Sequence, residues 1–186
     1  MPMLVTSDKP IVNKIISHLA QLGVKHVVIS PGSRNAPLII AFASNPAFKC
    51  YSIIDERSAA YYALGMAKQQ REPVAIVCTS GTAVLNYAPA LAEAFYQEVP
   101  IIAVTADRPT EWLDQEDGQT IHQENIFRNY IRLSCQMPDE VDAGAIDKAE
   151  ERLCEFDKRF RMLPHGPAHI NVPLDNPLYG QTTANQ

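Results

Sequence analysis

The chain of 186 residues is long enough for one domain with its own core, and its 46% hydrophobic and 20% charged residues are ordinary for a globular protein. The formal net charge of -5, without any local cluster of Lys and Arg, argues against a nucleic-acid-binding surface. No charged-then-apolar leader and no apolar run long enough to span a bilayer is present, so we expect neither export nor membrane insertion.

The first half of the chain alternates between helical and strand patterns. Apolar residues at helical spacing predict a first amphipathic helix between Pro10, which favours a helix start, and Gly23, which favours a stop. A β-branched strand follows at residues 24–30, and a helix at 38–44 leads to a strand at 50–54. The Ala-rich residues 58–70 are predicted to form the next helix.

The same alternation continues in the second half. The pattern predicts a strand at 74–79, one long helix reaching about residue 98, and a buried strand at 101–105. Residues 110–123 are acidic, rich in amides and without period, which is typical of a functional loop. A strand at 131–135, a charged helix at 141–162 and a last strand at 169–173 complete the prediction.

This order of elements predicts a doubly wound α/β fold. Strands that alternate with helices build a mainly parallel sheet, here of about six strands, with helices on both faces. We assign residues 1–180 to this domain and residues 181–186 to the start of an interdomain linker.

Polar residues follow four successive predicted strands. In an open parallel sheet these carboxyl ends lie along one rim, where ligands bind. The four segments are Ser33-Arg34, Asp55-Glu56-Arg57, Thr79-Ser80-Gly81-Thr82 and Asp107-Arg108. The sequence therefore predicts a binding site along this rim.

Glu56 is the strongest single candidate on the rim, because it follows an apolar strand and precedes a helix. A carboxylate in that position points into the crevice beyond the strands. The alternative is that Asp55 and Glu56 only favour the positive N-terminus of the helix. The local sequence leaves both interpretations open.

Arg34 and Arg108 suggest an anionic substrate, because planar guanidinium groups grip carboxylates in bidentate fashion. The alternative for each is an internal ion pair with Asp55, Asp107 or Glu56.

The turn at Ser80-Gly81-Thr82 precedes a helix and could hold an anion there. It lacks the Lys of a P-loop and the glycine fingerprint of a dinucleotide site. Close packing of its backbone against a flat ligand is an equal alternative.

The histidines and cysteines form no metal-binding pattern in the sequence. We expect structural roles for His18, His26, His165 and His169, whereas His122 shares its loop with three glutamines that could position a substrate. Three of the four cysteines lie in apolar runs, which is typical of buried thiols in a reducing cytoplasm. We therefore expect a cytoplasmic protein whose partner is a small molecule or another protein.

Five stretches, in order, resemble the N-terminal domain of one enzyme family, 2-succinyl-5-enolpyruvyl-6-hydroxy-3-cyclohexene-1-carboxylate (SEPHCHC) synthase of menaquinone biosynthesis. They are SPGSRNAP, IDERSAAYYALGMAK, CTSGTAVLNYAPALAEAFYQEVP, IAVTADRP and GQTIHQ. The resemblance extends over about residues 12–179. Its SPGSR and TADRP motifs are specific to this synthase, while IDER and TSGT are shared by thiamine-diphosphate enzymes more widely.

The resemblance implies a thiamine-diphosphate-dependent transferase that decarboxylates 2-oxoglutarate and adds the succinic semialdehyde carbanion to isochorismate. Glu56 would be the catalytic residue, hydrogen-bonding the aminopyrimidine ring of the cofactor and promoting its imino tautomer. The substrate-binding residues would be Ser33, Arg34, Arg108 and Gln119. We assign Pro31, Thr79, Ser80, Gly81 and Thr82, with Glu56, to cofactor binding.

Enzymes of this family bind the diphosphate and a Mg²⁺ or Mn²⁺ ion through a separate domain with a GDG motif, which is absent from this sequence. We therefore predict no metal ligand in this chain, expect it to be inactive by itself, and expect a homodimer or tetramer with sites between subunits. Two alternatives remain: the pyrimidine-binding subunit of a split thiamine-diphosphate decarboxylase, and a non-catalytic binding module on the same fold.

Overall fold

The computed structural model describes residues 4–140, 144–162 and 164–184. Its strands, numbered in chain order, are β1 (Leu4–Ser7), β2 (His26–Ile29), β3 (Lys49–Ser52), β4 (Val74–Cys78), β5 (Ile101–Asp107), β6 (Leu133–Gln136), β7 (Ala168–Pro173) and β8 (Gln181–Ala184). Its helices are α1 (Pro10–Gln21), α2 (Ala36–Ser44), α3 (Glu56–Gln70), α4 (Thr82–Leu85), α5 (Ala88–Tyr96) and α6 (Ala145–Phe160).

The main sheet has six parallel strands in the order β3-β2-β4-β5-β7-β6. Every residue of β4 and β5 is buried, which explains why β4 and residues 101–104 of β5 are continuous apolar runs rather than alternating ones. The predicted doubly wound α/β fold is confirmed.

Two apolar clusters cover the two faces of this sheet. One contains the buried faces of α1, α2 and α6, and the other contains those of α3 and α5. Each helix contributes an apolar stripe that water would otherwise contact, and burying these stripes holds the layers together. In the part of the chain that the structure describes, no helix is both long and apolar enough to cross a membrane.

The long helix predicted after residue 82 is wrong. The structure has two helices there, the short α4 and then α5, with Asn86 and Tyr87 between them. Pro89 explains the break, because its ring lacks an N–H donor and would clash with the carbonyl group of Leu85 in a continuous helix. The charged helix near the end of the chain begins at Ala145; residues 141–143 of that prediction lie outside the described residues.

A second, two-stranded sheet joins the two ends of the described chain. β1 and β8 pair antiparallel, with Val5 opposite Thr183 and Ser7 opposite Gln181. The sequence analysis predicted no strand at either end and assigned residues 181–186 to a linker. Residues 181–184 are instead hydrogen-bonded to the start of the chain, and residues 185–186 lie outside the described part.

Candidate active site

The four polar segments predicted along one rim are neighbours in the structure. The strands they follow occupy adjacent positions β3, β2, β4 and β5, and all four point in the same direction. From β2 the chain turns to β3 on one side and then returns to β4 on the other. This change of direction opens a crevice between β2 and β4, where ligands bind in folds of this class.

Ser30 holds the strand ends together at this crevice. Its N–H donates to Val77 O (2.8 Å) and its hydroxyl donates to Ile53 O (2.8 Å). A Cβ atom on Gly32 would lie 2.6 Å from Cβ of Thr79, which is too close for two carbon atoms. The loop after β2 can therefore pack against Thr79 only with a glycine at this position. The backbone of the SPGSR segment therefore contacts a side chain of the TSGT segment.

Glu56 begins α3, but it is Asp55 that caps the helix. The Asp55 carboxylate accepts a 2.7 Å hydrogen bond from Ser58 N, and this hydrogen bond holds the pKa of Asp55 below its usual value. Glu56 is half-buried, and its side chain makes no hydrogen bond or ion pair with any other residue in the described ranges. Asp55 thus fills the role that the alternative interpretation gave to both acids, which leaves the Glu56 carboxylate free for a ligand.

Two fully buried polar side chains, Cys78 and Tyr87, are close enough to Glu56 to be affected by its charge. Burial raises the pKa of the Cys78 thiol and of the Tyr87 hydroxyl, and the charge of Glu56 raises both further. Both groups are therefore neutral at ordinary pH. The Tyr87 hydroxyl has no hydrogen-bond partner within the described residues. Glu56 therefore borders a neutral, closely packed interior.

The TSGT turn is fixed by the glutamine-rich loop. Gly81 has φ +79°, its N–H donates to Gln123 Oε1 (2.7 Å), and a Cβ atom on it would lie 2.8 Å from Gln119 O. Ser80 Oγ donates to Gln119 O (3.0 Å), and Gln119 Nε2 donates in return to Ser80 O (3.1 Å). Because the Gly81 N–H already donates to Gln123, this donor is not free for an anion.

Arg34 and Arg108 are both held by their own chain. Arg34, only 8% exposed, donates from Nη1 to Leu174 O (2.7 Å). Arg108 donates from Nη2 to Gly118 O (2.9 Å), and its Nε lies 3.0 Å from Asp117 Oδ2. The ion-pair partner of Arg108 is therefore Asp117, which was not among the three acids that the sequence suggested.

Arg34 and Arg108 nevertheless lie close to each other in the fold. Both line one cleft of about 150 Å³, together with Trp112 and Asp175. Ser33 and Pro31 lie exposed on the preceding loop. The structure thus brings together two of the predicted substrate-binding residues, while Gln119 lies in the neighbouring loop against Ser80.

Asp107 belongs to a buried polar network that the sequence analysis missed. Its carboxylate accepts from Asn171 Nδ2 (2.7 Å), and Asn171 Oδ1 accepts from Gln123 Nε2 (2.8 Å) and Thr105 Oγ1 (2.7 Å). Burial raises the pKa of Asp107 to about 6. Since Gln123 also accepts a hydrogen bond from the Gly81 N–H, this network connects β5 and β7 to the TSGT turn. The available signal was the pair of polar residues, His169 and Asn171, within the otherwise apolar strand AHINVP.

His169 and His122 lie in different environments, a buried strand and an exposed loop. His169 is fully buried, and burial lowers its pKa to about 3, so it is neutral and structural. His122 lies in the loop, 3.0 Å from Asp114, and both side chains are exposed. Four residues between positions 114 and 125 adopt positive φ, and they include Asp114 and Gln119. This irregular backbone confirms the prediction of a loop.

Comparison with known proteins shows which family this chain matches. A family described as "Thiamine pyrophosphate enzyme, N-terminal TPP binding domain" matches residues 11–126. Proteins named SEPHCHC synthase from Porphyromonas gingivalis and Flavobacterium psychrophilum are each 49% identical to this chain, over 178 and 170 residues. These alignments cover 95% and 91% of this chain but 31% and 30% of the relatives, so the chain spans about a third of their length.

A solved structure, benzoylformate decarboxylase from Polynucleobacter necessarius, shares the fold. It superposes with a TM-score of 0.71 at 21% identity, over 97% of this chain and 32% of that one. At that identity the likeness shows the fold alone.

Proposed function

The chain belongs to the N-terminal TPP-binding domain family of thiamine pyrophosphate enzymes, and on that premise we propose that it is the pyrimidine-binding domain of a SEPHCHC synthase. The complete enzyme would decarboxylate 2-oxoglutarate and transfer the remaining four-carbon unit to isochorismate. The observation that carries the proposal is the half-buried Glu56 carboxylate, which has no partner among the described residues, beside the crevice between β2 and β4.

The rim fits the aminopyrimidine half of thiamine diphosphate. A flat heterocycle with a basic ring nitrogen needs a carboxylate partner, closely approaching backbone and apolar contact. Glu56 offers the carboxylate, and Ile54, 82% exposed and two residues away, offers the apolar contact. Gly32 and Gly81 pack against Thr79 and Gln119 of the chain itself, and so fix the loops whose exposed residues Pro31 and Thr82 would offer the approaching backbone. An exposed side chain of this size favours a ligand or partner surface.

When bound, the cofactor supplies the chemistry that decarboxylates a 2-oxo acid and transfers what remains. Glu56 would hold and move a proton at the aminopyrimidine ring nitrogen, a role suited to a half-buried carboxylate within reach of the bound ring. Arg34 and Arg108 would attract the carboxylates of isochorismate to their shared cleft, using donors that Leu174 and Gly118 leave free. Ser33 and Gln119 would complete that binding surface.

The diphosphate and its Mg²⁺ or Mn²⁺ ion would be held outside residues 1–180, by a domain of another subunit in a homodimer or tetramer. The rim of the described chain carries no cluster of metal-ligating side chains. We extend the domain to residues 181–184, because β8 is paired with β1. We also propose a cytoplasmic location, which the four unpaired cysteines support.

The test is the full-length enzyme carrying Glu56→Gln, which keeps the size of the side chain but cannot accept or release the proton. We expect turnover with 2-oxoglutarate and isochorismate to fall by about 10²–10⁴-fold with the thermal unfolding midpoint unchanged. Glu72→Gln, which changes another half-buried glutamate, one that is paired with Lys25, serves as the matched control. Wild-type turnover in a folded Glu56→Gln enzyme would contradict the assigned role.

The 186-residue chain alone provides a second test. A pyrimidine pocket without the diphosphate site offers too few contacts to offset the freedom that a small ligand loses on binding. Titration calorimetry with thiamine diphosphate and Mg²⁺ should therefore show weak binding or none. Submicromolar affinity would place the diphosphate site within these residues and contradict the proposed division of labour.

A further inference from the structure

Helices α1 and α6 bring three different kinds of metal-ligating side chain together, away from the rim. The imidazole of His18 on α1 faces Glu150 and Cys154 on α6, and one ligand atom from each lies within 4.8 Å of the others. Glu150 and Cys154 are four residues apart, so they share one face of their helix. The sequence analysis had assigned His18 a structural role.

The distances show how the imidazole is oriented. His18 Nδ1 lies 2.6 Å from Asp157 Oδ2, and Nε2 lies 3.2 Å from Glu150 Oε1. Cys154 Sγ lies 3.9 Å from the same Glu150 oxygen. The other oxygen of Glu150 lies 2.9 Å from Lys14 Nζ, so Oε1 is the atom turned towards His18 and Cys154.

This geometry needs a positive charge between His18 and Glu150. Both imidazole nitrogens face carboxylate oxygens, so in either neutral tautomer one nitrogen presents its lone pair to an acceptor. When Nδ1 donates to Asp157, the acceptors that repel each other are Nε2 and Glu150 Oε1, 3.2 Å apart. Either a second proton on the imidazole or a bound cation relieves the repulsion. The Glu150 carboxylate, whose other oxygen already lies 2.9 Å from Lys14 Nζ, offers Oε1 to either.

The thiol distinguishes a metal ion from a proton. An ion pair between His18 and Glu150 has no use for Cys154, whereas nitrogen, oxygen and sulfur ligands together suit Zn²⁺. Tetrahedral Zn²⁺ with ordinary bond lengths separates its ligand atoms by about 3.3–3.7 Å. The distances from Glu150 Oε1 to His18 Nε2 and to Cys154 Sγ, 3.2 and 3.9 Å, lie just below and just above that range, and the ligand atoms of His18 and Cys154 lie within 4.8 Å of each other. Cys154 is exposed, so its side chain is free to close the remaining distance.

We propose that His18, Glu150 and Cys154 bind Zn²⁺, with a water molecule as the fourth ligand and Asp157 orienting the imidazole. A carboxylate on the far nitrogen of a zinc-bound histidine is the usual partner of such a ligand. The ion enters from the exposed side of Cys154, whose thiol releases its proton to solvent on binding. The site joins α1 to α6 and is independent of the function proposed for the rim.

The experiment uses the 186-residue chain, free of any affinity tag and reduced, titrated with Zn²⁺ against a chromophoric chelator. We expect one equivalent to bind, with at least tenfold weaker binding in both Cys154→Ser and Glu150→Gln. Cys50→Ser and Glu151→Gln are the matched controls, since they alter a half-buried cysteine and an exposed glutamate outside the cluster, and both should bind as the wild type does.

Two further measurements identify the ligands. Co²⁺ should give the visible spectrum of a tetrahedral site with a thiolate charge-transfer band, and the band should be missing in Cys154→Ser. Zn²⁺ should raise the thermal unfolding midpoint of the wild type but not of Cys154→Ser, because it binds the folded pair of helices. Absence of stoichiometric binding overturns the proposal, and so does binding that survives Cys154→Ser or Glu150→Gln undiminished.

Discussion

Replacing Asp107 by Asn should change how the stability of this domain depends on pH. Asp107 is 5% exposed, and burial raises its pKa from 3.8 to about 6, although hydrogen bonds from Asn171 and from the Arg108 N–H oppose the rise. The charge of Asp139 also raises it, and that of His122 lowers it. The native state therefore holds a proton that the unfolded chain releases at lower pH.

The difference in the pKa of Asp107 between the native and unfolded states sets the sign and the size of the pH effect on the free energy of unfolding. Between about pH 4 and pH 6 the native state binds more protons than the unfolded state, so the free energy of unfolding falls as pH rises. Below about pH 4 the Asp107 carboxyl does not destabilise the native state, and above about pH 6 the full cost of burying the ionised carboxylate remains. A rise in pKa from 3.8 to about 6 corresponds to about 3 kcal/mol. Asn171 retains an acceptor in Asp107→Asn, and any loss at the Arg108 N–H is independent of pH.

Urea denaturation of wild type and Asp107→Asn at several values between about pH 4 and pH 7 measures the effect. The variant should gain stability relative to the wild type by about 2–3 kcal/mol across this range. Glu151→Gln, which removes an exposed carboxylate, should show no such trend. A constant difference between Asp107→Asn and wild type, or one that changes in the opposite direction, would refute a buried carboxyl with a raised pKa.

Three other substitutions test the contacts around the rim. Gly81→Ala should cost about 1–3 kcal/mol in urea denaturation, because φ is +79° and the new methyl group would meet Gln119; unchanged stability would contradict the close packing of the two loops. Gln123→Ala leaves the buried Gly81 N–H without its acceptor and should cost about 1–3 kcal/mol in the same assay, with faster hydrogen exchange at Gly81 as the specific sign. Arg34→Ala should destabilise this chain by about 1.5–3 kcal/mol through the lost bond to Leu174 O and, in the full-length enzyme, lower kcat/KM for isochorismate by a similar free energy; an unchanged kcat/KM would remove Arg34 from the substrate site.

The sequence by itself determined the main sheet and the line of candidate residues along it. Apolar runs of strand length that alternate with amphipathic helices leave few ways to bury their surfaces, and a parallel sheet places all its carboxyl ends on one side. The rim with Arg34, Glu56, Gly81 and Arg108 could therefore be predicted from local patterns. The break between α4 and α5 was also encoded locally, by Pro89, but was overlooked.

Only the tertiary structure decided which distant groups meet. β1 pairs with β8 across almost the whole chain, Arg108 pairs with Asp117, and Asn171 reaches Asp107 and Gln123 inside the fold. Such contacts depend on strand register, loop path and rotamer, none of which leaves a periodic trace in the sequence. His18 meets Glu150 and Cys154 for the same reason, because the packing of α1 on α6 brings together side chains more than a hundred residues apart.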